Sequence, residues 1–242
     1  MFAYYGATDE GNQQRRIRMI RLREAVAAAS GFLLDFDGVL ADSEPWFYLS
    51  WARALRSAGI GMEPSEYWLN WSSRGEGLDG LCRRRGVIVP DPEGLRAMQR
   101  RTYSGFCAKG SIALFQEARP LLQALVRIGK PFAIASNTEK PLVEAILAGG
   151  GAPDVTVVGG EGLPPKPAPD IFLKAAAGLG LEPGSTLVVE DAEKGIRAAR
   201  AGGFGSVLVR TGLNRGMAFE VEPDFEAEDL RELLAVFEGE AG

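Results

Sequence analysis

The sequence predicts an α/β protein whose core is a doubly wound, Rossmann-like parallel sheet carrying an inserted α-helical cap domain. From residue 118 onward, short apolar runs alternate with helical patterns, which is typical of parallel strands joined by helical crossovers. After the first apolar run, however, no strand-like pattern recurs until about residue 131, so the helical stretch between interrupts the sheet. The expected parts are an N-terminal Arg-rich helical extension (1–30), an α/β core (31–43 and 111–242) and a helical cap (44–110).

The N-terminal segment from Gln13 to Ala29 is rich in arginine and has a helical pattern. It lacks the uninterrupted apolar stretch of a secretory signal. The simpler interpretation is a helix that packs on the core. The alternative is an arm that binds a membrane surface or a protein partner.

The predicted insertion contains helical patterns at 45–58, 64–71, 75–85 and 92–108. Ser43 is placed to cap the first of these helices, and Gly59 is placed to end it. All four tryptophans lie in this region: Trp46, Trp51, Trp68 and Trp71. Aromatic residues at helical spacing favour a local core over a ligand-binding roof, although both interpretations stay open.

The remainder of the chain alternates regularly between helix-like and strand-like hydrophobic patterns. Helices are predicted at 118–129, 139–148, 170–179 and 193–201, and strands at 131–135, 155–158, 186–189 and 206–209. In such sheets, ligands bind outside the carboxyl ends of the strands. The residues that follow each strand are therefore the first place to look for function.

Polar residues follow three of these apolar runs. The first run ends in Asp35 and Asp37, the second in Ser136 and Asn137, and the third in Glu190 and Asp191. Lys166 precedes a helix in a proline-rich loop. Because the carboxyl ends of parallel strands meet at one edge, these groups are expected to converge on a single site.

The converging residues have the chemistry of a magnesium site that handles a phosphoryl group. Asp35 and Asp37 are two residues apart in an extended segment, so their side chains point to the same side. Mg²⁺ prefers oxygen ligands and is often held by one or two carboxylates. Asp35 and Asp191 are the expected direct ligands, with Glu190 as a further ligand or as their support. Lys166, Ser136 and backbone N–H groups would stabilise the phosphate.

The composition excludes several classes of function. The chain contains no histidine, which excludes Ser-His-Asp catalysis and histidine-ligated zinc or iron. A net charge of −5 argues against nucleic acid as the main partner, and no apolar run approaches the roughly 18 residues of a membrane span. Two cysteines in no metal-like spacing fit a reducing compartment. We therefore expect a cytoplasmic protein with a small-molecule partner, no nucleic acid and no membrane. The sequence leaves the oligomeric state open.

Four motifs together resemble the haloacid dehalogenase superfamily, and most closely its phosphatase and β-phosphoglucomutase branch with a helical cap. They are Asp35-Phe36-Asp37-Gly38-Val39-Leu40, Ser136-Asn137, Lys166-Pro167-Ala168-Pro169-Asp170 and Glu190-Asp191. The resemblance covers about residues 31–212, and the motifs occur in the family's order. It implies a phosphatase that uses Mg²⁺ to hydrolyse a small phosphorylated metabolite, such as a sugar phosphate, through an aspartyl-phosphate intermediate.

The resemblance also implies a role for each residue. Asp35 would be the nucleophile, and Asp37 would protonate the leaving oxygen, then activate water, and offer its backbone carbonyl to the metal. Ser136 and Lys166 would complete the catalytic set. The expected metal site comprises Asp35, Asp37, Glu190 and Asp191, and the expected substrate-binding set comprises Ser136, Asn137, Lys166 and Arg74.

Two comparisons with the family pattern bear on the type of reaction. Dehalogenase and phosphonate-cleaving members lack an acid at the position of Asp37, so its presence favours phosphate esters. β-Phosphoglucomutases carry a histidine at the position of Phe47 and a glycine at that of Trp71, and both are replaced here. Hydrolysis is therefore favoured over a phosphomutase reaction. A catalytically silent protein that binds a phosphometabolite or a partner is a third alternative, disfavoured because the nucleophile and metal ligands are retained.

Overall fold

The protein, described here by a computed structural model over residues 9–240, is built around a parallel sheet. Within these residues the sheet has six strands: β1 (Gly31–Leu34), β2 (Phe132–Ala135), β3 (Thr156–Val158), β4 (Thr186–Glu190), β5 (Gly205–Val209) and β6 (Phe225–Ala227). Their order across the sheet is β3-β2-β1-β4-β5-β6, and every neighbouring pair is parallel. The order reverses beside β1, which makes this point a topological switch where ligands bind in such sheets.

Helices precede, interrupt and flank the sheet. They are α1 (Asp9–Ala28), α2 (Glu44–Ser57), α3 (Pro64–Glu66), α4 (Gly77–Arg85), α5 (Pro92–Ala108), α6 (Ala118–Ile128), α7 (Lys140–Gly149), α8 (Asp170–Leu179), α9 (Glu193–Ala201) and α10 (Leu230–Glu240). A π-helical segment, Tyr67–Ser73, continues α3, and a 3₁₀ turn, Pro183–Ser185, precedes β4. The predicted α/β, Rossmann-like fold class is confirmed.

Both faces of the sheet are buried, because successive side chains of a strand point to opposite faces and every residue of β1 and β4 is buried. Phe32 and Leu34 of β1 belong to the larger apolar cluster, which includes residues of α1, α6 and α10. Leu33 belongs to the second cluster, with residues of α8 and α9. The sheet is therefore covered on both faces, as all-parallel sheets are.

Helices α2 to α5 form the insertion between β1 and α6, and they have an apolar cluster of their own. Its buried members are Ala54, Leu55, Met62, Tyr67, Leu78, Leu81 and Leu95. Trp51, Trp68 and Trp71 pack against this cluster, and Trp46 packs against Phe106 instead. The tryptophans thus contribute to local packing, as the helical spacing predicted.

Helix α1 packs against the edge strand β6 and against α10. Its Leu22 and Val26 are fully buried, and the Arg18 guanidinium binds the Glu232 carboxylate of α10 at 2.9 Å. This agrees with the interpretation of a helix that packs on the core; residues 1–8 of the predicted extension lie outside the described residues. Across residues 9–240, no helix combines the length and apolar character that a membrane crossing requires.

Candidate active site

Three neighbouring strands deliver the predicted residues to one place. Asp35 follows β1, Ser136 follows β2, and Glu190 ends β4. Lys166 reaches them from the loop before α8 and is almost completely buried, with 2 % of its surface exposed. Its Nζ lies 2.6 Å from Asp35 Oδ1, 2.6 Å from Glu190 Oε1 and 2.9 Å from the Ala135 carbonyl oxygen. One ammonium therefore holds two carboxylates in fixed positions, and the two carboxylates raise its pKa despite its burial.

Asp37 lies in a separate network of hydroxyl groups. Ser43 Oγ donates to Asp37 Oδ1 at 2.6 Å, and Ser136 Oγ and Thr138 Oγ1 donate to Oδ2 at 2.8 Å and 2.7 Å. Burial and the neighbouring Asp35 raise the pKa of Asp37, although these hydrogen bonds oppose the shift. Ser43 occupies the N-cap position of α2, as predicted, but its hydroxyl makes no capping hydrogen bond and is directed to Asp37 instead.

Asp35, Glu190 and Asp191 form a compact group of buried carboxylates. Each offers an oxygen, and these oxygens all lie within 4.8 Å of one another. Burial and the nearby Glu190 raise the pKa of Asp191 well above its usual value. The carboxylate of Asp37 is not part of this group among the described residues. Its expected role there through the backbone carbonyl stays a prediction.

Two glycines lie against these carboxylates, which occupy space that a larger side chain at either position would fill. Gly38 has a φ of +80°, and a Cβ built on it would overlap the Asp191 carboxylate. Gly195, in the first turn of α9, lies against the Glu190 carboxylate, which a Cβ would likewise overlap. Side chains at either position would therefore displace the acidic group.

Two adjoining cavities open at this site. The smaller, about 20 Å³, is lined by Asp35, Asp37, Glu44, Asn137, Lys166, Asp191 and Lys194. The larger, about 290 Å³, lies between the strand ends and the helical insertion. Asp37, Glu44, Asn137 and Lys194 line both cavities. The size of the smaller cavity suits a compact group, and the larger has the volume to hold a small organic molecule beside it.

Aromatic side chains form much of the wall of the larger cavity. They are Phe47, Trp51, Tyr67, Trp71 and Tyr103. Phe47 stacks on Tyr103 with 3.8 Å between ring centroids, and Trp51 packs on Trp71 at 4.6 Å. Glu44 is buried in this wall, where Tyr67 Oη donates to its Oε2 at 3.0 Å. Burial raises the pKa of Glu44, whereas the nearby Lys194 lowers it.

The structure brings together Asp35, Asp37, Ser136, Asn137, Lys166, Glu190 and Asp191. Asn137 takes part through its Oδ1, which accepts from the Lys166 backbone N–H at 3.1 Å. Arg74 is different: in the described part of the chain it lies outside both cavity linings, and its guanidinium is 3.8 Å from Glu220. Its expected contact with substrate stays a prediction that this arrangement does not support.

The residues of the cavity lining that sequence reasoning missed include Glu44, Thr138 and Lys194. Thr138 had a signal, because it is two residues beyond Ser136 in the same polar strand end. Lys194 is the second residue of α9, the helix that begins three residues after Glu190. Glu44 is the first residue of α2, and only the packing of the insertion shows that it turns inward.

Comparison with known proteins identifies the family. The family model described as haloacid dehalogenase-like hydrolase matches residues 29–203, which is more than half of the chain. This chain belongs to that family. The match includes all four motifs on which the resemblance was based, so the predicted family is confirmed.

Individual relatives of this hydrolase are distant. Protein CbbY of Rhodobacter capsulatus is 28 % identical over 215 residues, covering 82 % of this chain and 90 % of the relative. A phosphoglycolate phosphatase of Shigella boydii is 29 % identical over 234 residues, covering 84 % and 90 %. Among solved structures, CbbY from Rhodobacter sphaeroides in complex with phosphate superimposes with a TM-score of 0.72 at 24 % identity. That likeness covers 86 % of this chain and 99 % of the other, and it concerns the fold.

Proposed function

We propose that this hydrolase is a phosphatase that uses Mg²⁺ to hydrolyse a small phosphorylated metabolite through an aspartyl-phosphate intermediate. The observation that carries the proposal is the position of two aspartates with different surroundings. Asp35 is held by the Lys166 ammonium, while Asp37 is held by hydroxyls where the two cavities meet. A nucleophile and a proton donor require such a division.

The carboxylate group fits a magnesium ion. Asp35, Glu190 and Asp191 supply hard oxygen ligands, and burial has raised the pKa of Asp191. Among the described residues, Lys166 binds two of these carboxylates directly and Lys194 lies nearby, so the three carboxylates outnumber the cations beside them. When bound, Mg²⁺ would neutralise charge on the phosphoryl oxygens. Asp35, Glu190 and Asp191 would hold it.

The residues of the smaller cavity have distinct tasks in the proposed reaction. Asp35 attacks phosphorus, and the bond from phosphorus to the ester oxygen breaks. Asp37 gives its proton to that departing oxygen and then removes a proton from the water that hydrolyses the aspartyl-phosphate. Lys166 fixes Asp35 and, with the Ser136 hydroxyl and Asn137, binds phosphate oxygens.

The insertion, proposed as a cap domain over 44–110, would cover the leaving group. Its two connections to the core lie at the start of α2 and after α5, where Gly110 has a φ of +65°. The insertion also contacts the core at Gly75. A Cβ there would lie 3.3 Å from both the Lys166 carbonyl oxygen and Lys194 Cβ. Opening of the cap would admit substrate, and closure would exclude water.

The relatives named above support phosphate esters as the substrate class, since one is a phosphoglycolate phosphatase and one CbbY structure holds phosphate. A phosphomutase reaction is the second candidate. Phe47 occupies the position at which the mutase pattern has a histidine, and here it stacks on Tyr103. Trp71 occupies the glycine position and packs on Trp51. Both side chains fill space in the cavity wall, which favours hydrolysis.

The proposal predicts magnesium-dependent phosphate release from at least one member of a panel of phosphate monoesters. The panel contains sugar phosphates, phosphoglycolate, nucleotides and phenyl phosphate, each assayed with Mg²⁺ and with a chelator. Release that persists with the chelator would contradict the metal assignment. Absence of release, together with conversion of β-glucose 1-phosphate in the presence of a bisphosphate primer, would establish the mutase instead.

The role of Asp37 predicts that the loss of activity caused by Asp37→Asn depends on the leaving group of the ester. An alkyl alcohol needs a proton to depart, whereas phenolate departs more readily without one. We therefore expect the kcat/KM of the variant to fall about 100- to 10,000-fold with n-propyl phosphate and much less with phenyl phosphate. The measurement is kcat/KM for both esters in variant and wild type. Equal losses for the two esters would show that Asp37 is not the proton donor.

A further inference from the structure

Tyr103 of α5 has a buried hydroxyl without a hydrogen-bond partner among residues 9–240. The side chain is 2 % exposed, and its ring stacks on Phe47. The other unpaired buried atoms of the described residues belong to Arg18 and Arg96, and each of these guanidinium groups binds a carboxylate through another nitrogen. Tyr103 has no such compensation. An unpaired buried hydroxyl is unfavourable in the free protein, so its presence requires an explanation.

The surroundings of this hydroxyl belong to the active site. Tyr103 lines the larger cavity together with Asp37 and Glu44. Burial raises the pKa of Tyr103, and the nearby Asp37 raises it further, so the phenol stays protonated and can donate. The Ser43 hydroxyl and the Cys107 thiol are also close, but neither forms a hydrogen bond with the Tyr103 hydroxyl in this structure. The Tyr103 donor is therefore left for a group that enters the cavity.

Packing alone does not require the oxygen. Stacking against Phe47 involves only the aromatic ring, and phenylalanine would supply the same ring. In the proposed reaction, the ester oxygen departs beside Asp37, where the two cavities meet. The remainder of the leaving alcohol must then occupy the larger cavity, next to Tyr103. An acceptor oxygen on that alcohol would accept a hydrogen bond from the Tyr103 hydroxyl.

We propose that Tyr103 is a specificity-determining residue whose hydroxyl donates a hydrogen bond to an acceptor oxygen of the leaving alcohol, close to the ester oxygen. This inference rests on the proposed phosphatase function. It selects esters of polyols, sugars or hydroxy acids over esters of simple alcohols, because an alcohol without the acceptor leaves the buried donor unpaired.

The test compares Tyr103→Phe with the wild type on glycerol 3-phosphate and n-propyl phosphate, which share one carbon chain and differ in hydroxyl groups. The ratio of their kcat/KM values should fall about tenfold in the variant, the change expected for one hydrogen bond. Most of the loss should fall on glycerol 3-phosphate. The Tm of the free variant should not decrease, because its folded state loses no hydrogen bond.

Tyr48→Phe is the matched control. Tyr48 also lies in the insertion, but its hydroxyl donates to the Met62 carbonyl at 3.2 Å and it lies outside the cavity lining in the described chain. Its removal should lower Tm and leave the ratio unchanged.

An unchanged ratio in an active Tyr103→Phe enzyme would overturn the inference and leave the phosphatase function intact. Equal losses on both esters would also overturn it, because they would indicate a structural role. If the wild type releases phosphate from neither ester nor from any other in the panel, the proposed function fails, and this inference with it.

Discussion

Asp35→Asn is expected to lower phosphate release by at least about a thousandfold, because the amide cannot act as the nucleophile. The substitution keeps the size of the side chain. The remaining side-chain oxygen can still accept a hydrogen bond from the Lys166 ammonium, which is 2.6 Å from Asp35 Oδ1 in the wild type. The loss should therefore appear in kcat rather than in folding. The measurement is steady-state release from the best ester of the panel, with Tm recorded in parallel.

Asp42→Asn provides the matched control. Asp42 lies in the same loop after β1, but its side chain is exposed. The same change of charge is made there, so an electrostatic effect on the whole loop would appear in both variants. If Asp35→Asn were as active as Asp42→Asn, Asp35 would not be the nucleophile.

Lys166→Met is expected to affect both stability and activity. The ammonium is buried between Asp35 and Glu190 and lies 4.6 Å from the centre of the Phe172 ring. Removing it leaves two buried carboxylates without their cation, which typically costs about 3–5 kcal/mol of unfolding free energy. Loss of the group that fixes Asp35 should also reduce kcat strongly. Urea unfolding and phosphate release measure the two effects.

Lys174→Met is the corresponding control, because Lys174 lies on the exposed face of α8. It should change neither stability nor activity appreciably. Added Mg²⁺ should restore part of the stability of Lys166→Met, since the ion would compensate the same carboxylates. A Lys166→Met protein as stable as Lys174→Met would contradict the electrostatic account of this site.

The central part of the site could be predicted from the sequence because parallel strands impose a simple geometry. Asp35, Ser136 and Glu190 are far apart in the chain, yet each follows a recognisable apolar run. Adjacent strands of one sheet then place them at one edge. The same regularity gave the helices at 92–108, 170–179 and 193–201 with their observed bounds.

Elements without a regular pattern were not predicted. Strand β6 has three residues, Phe225–Ala227, and includes a glutamate, so it lacks the apolar run of a buried strand. Helix α10 follows it after only two residues and completes the core through Leu233 and Phe237. The π-helical turn at Tyr67–Ser73 was expected to be an ordinary helix, because its hydrogen-bond pattern leaves no separate sequence signal.

The cavity wall depends on tertiary packing, which periodicity does not determine. A helical pattern identifies an apolar face of α5, but not which residue on that face meets the core. Tyr103 lines the larger cavity, and Arg74, whose contact with substrate stays a prediction, lies near Glu220. The orientation of the insertion decides both outcomes, and it depends on contacts such as that of Gly75 with Lys194.

The most direct test of the account is to trap the covalent intermediate. The enzyme would be mixed with its best ester and Mg²⁺, quenched in acid during the first turnover, digested and examined by mass spectrometry. The account predicts one added phosphoryl group on the peptide that contains Asp35, absent from Asp35→Asn and from samples without ester. Phosphate release under the same conditions with the phosphoryl group on another residue, or on none, would contradict it.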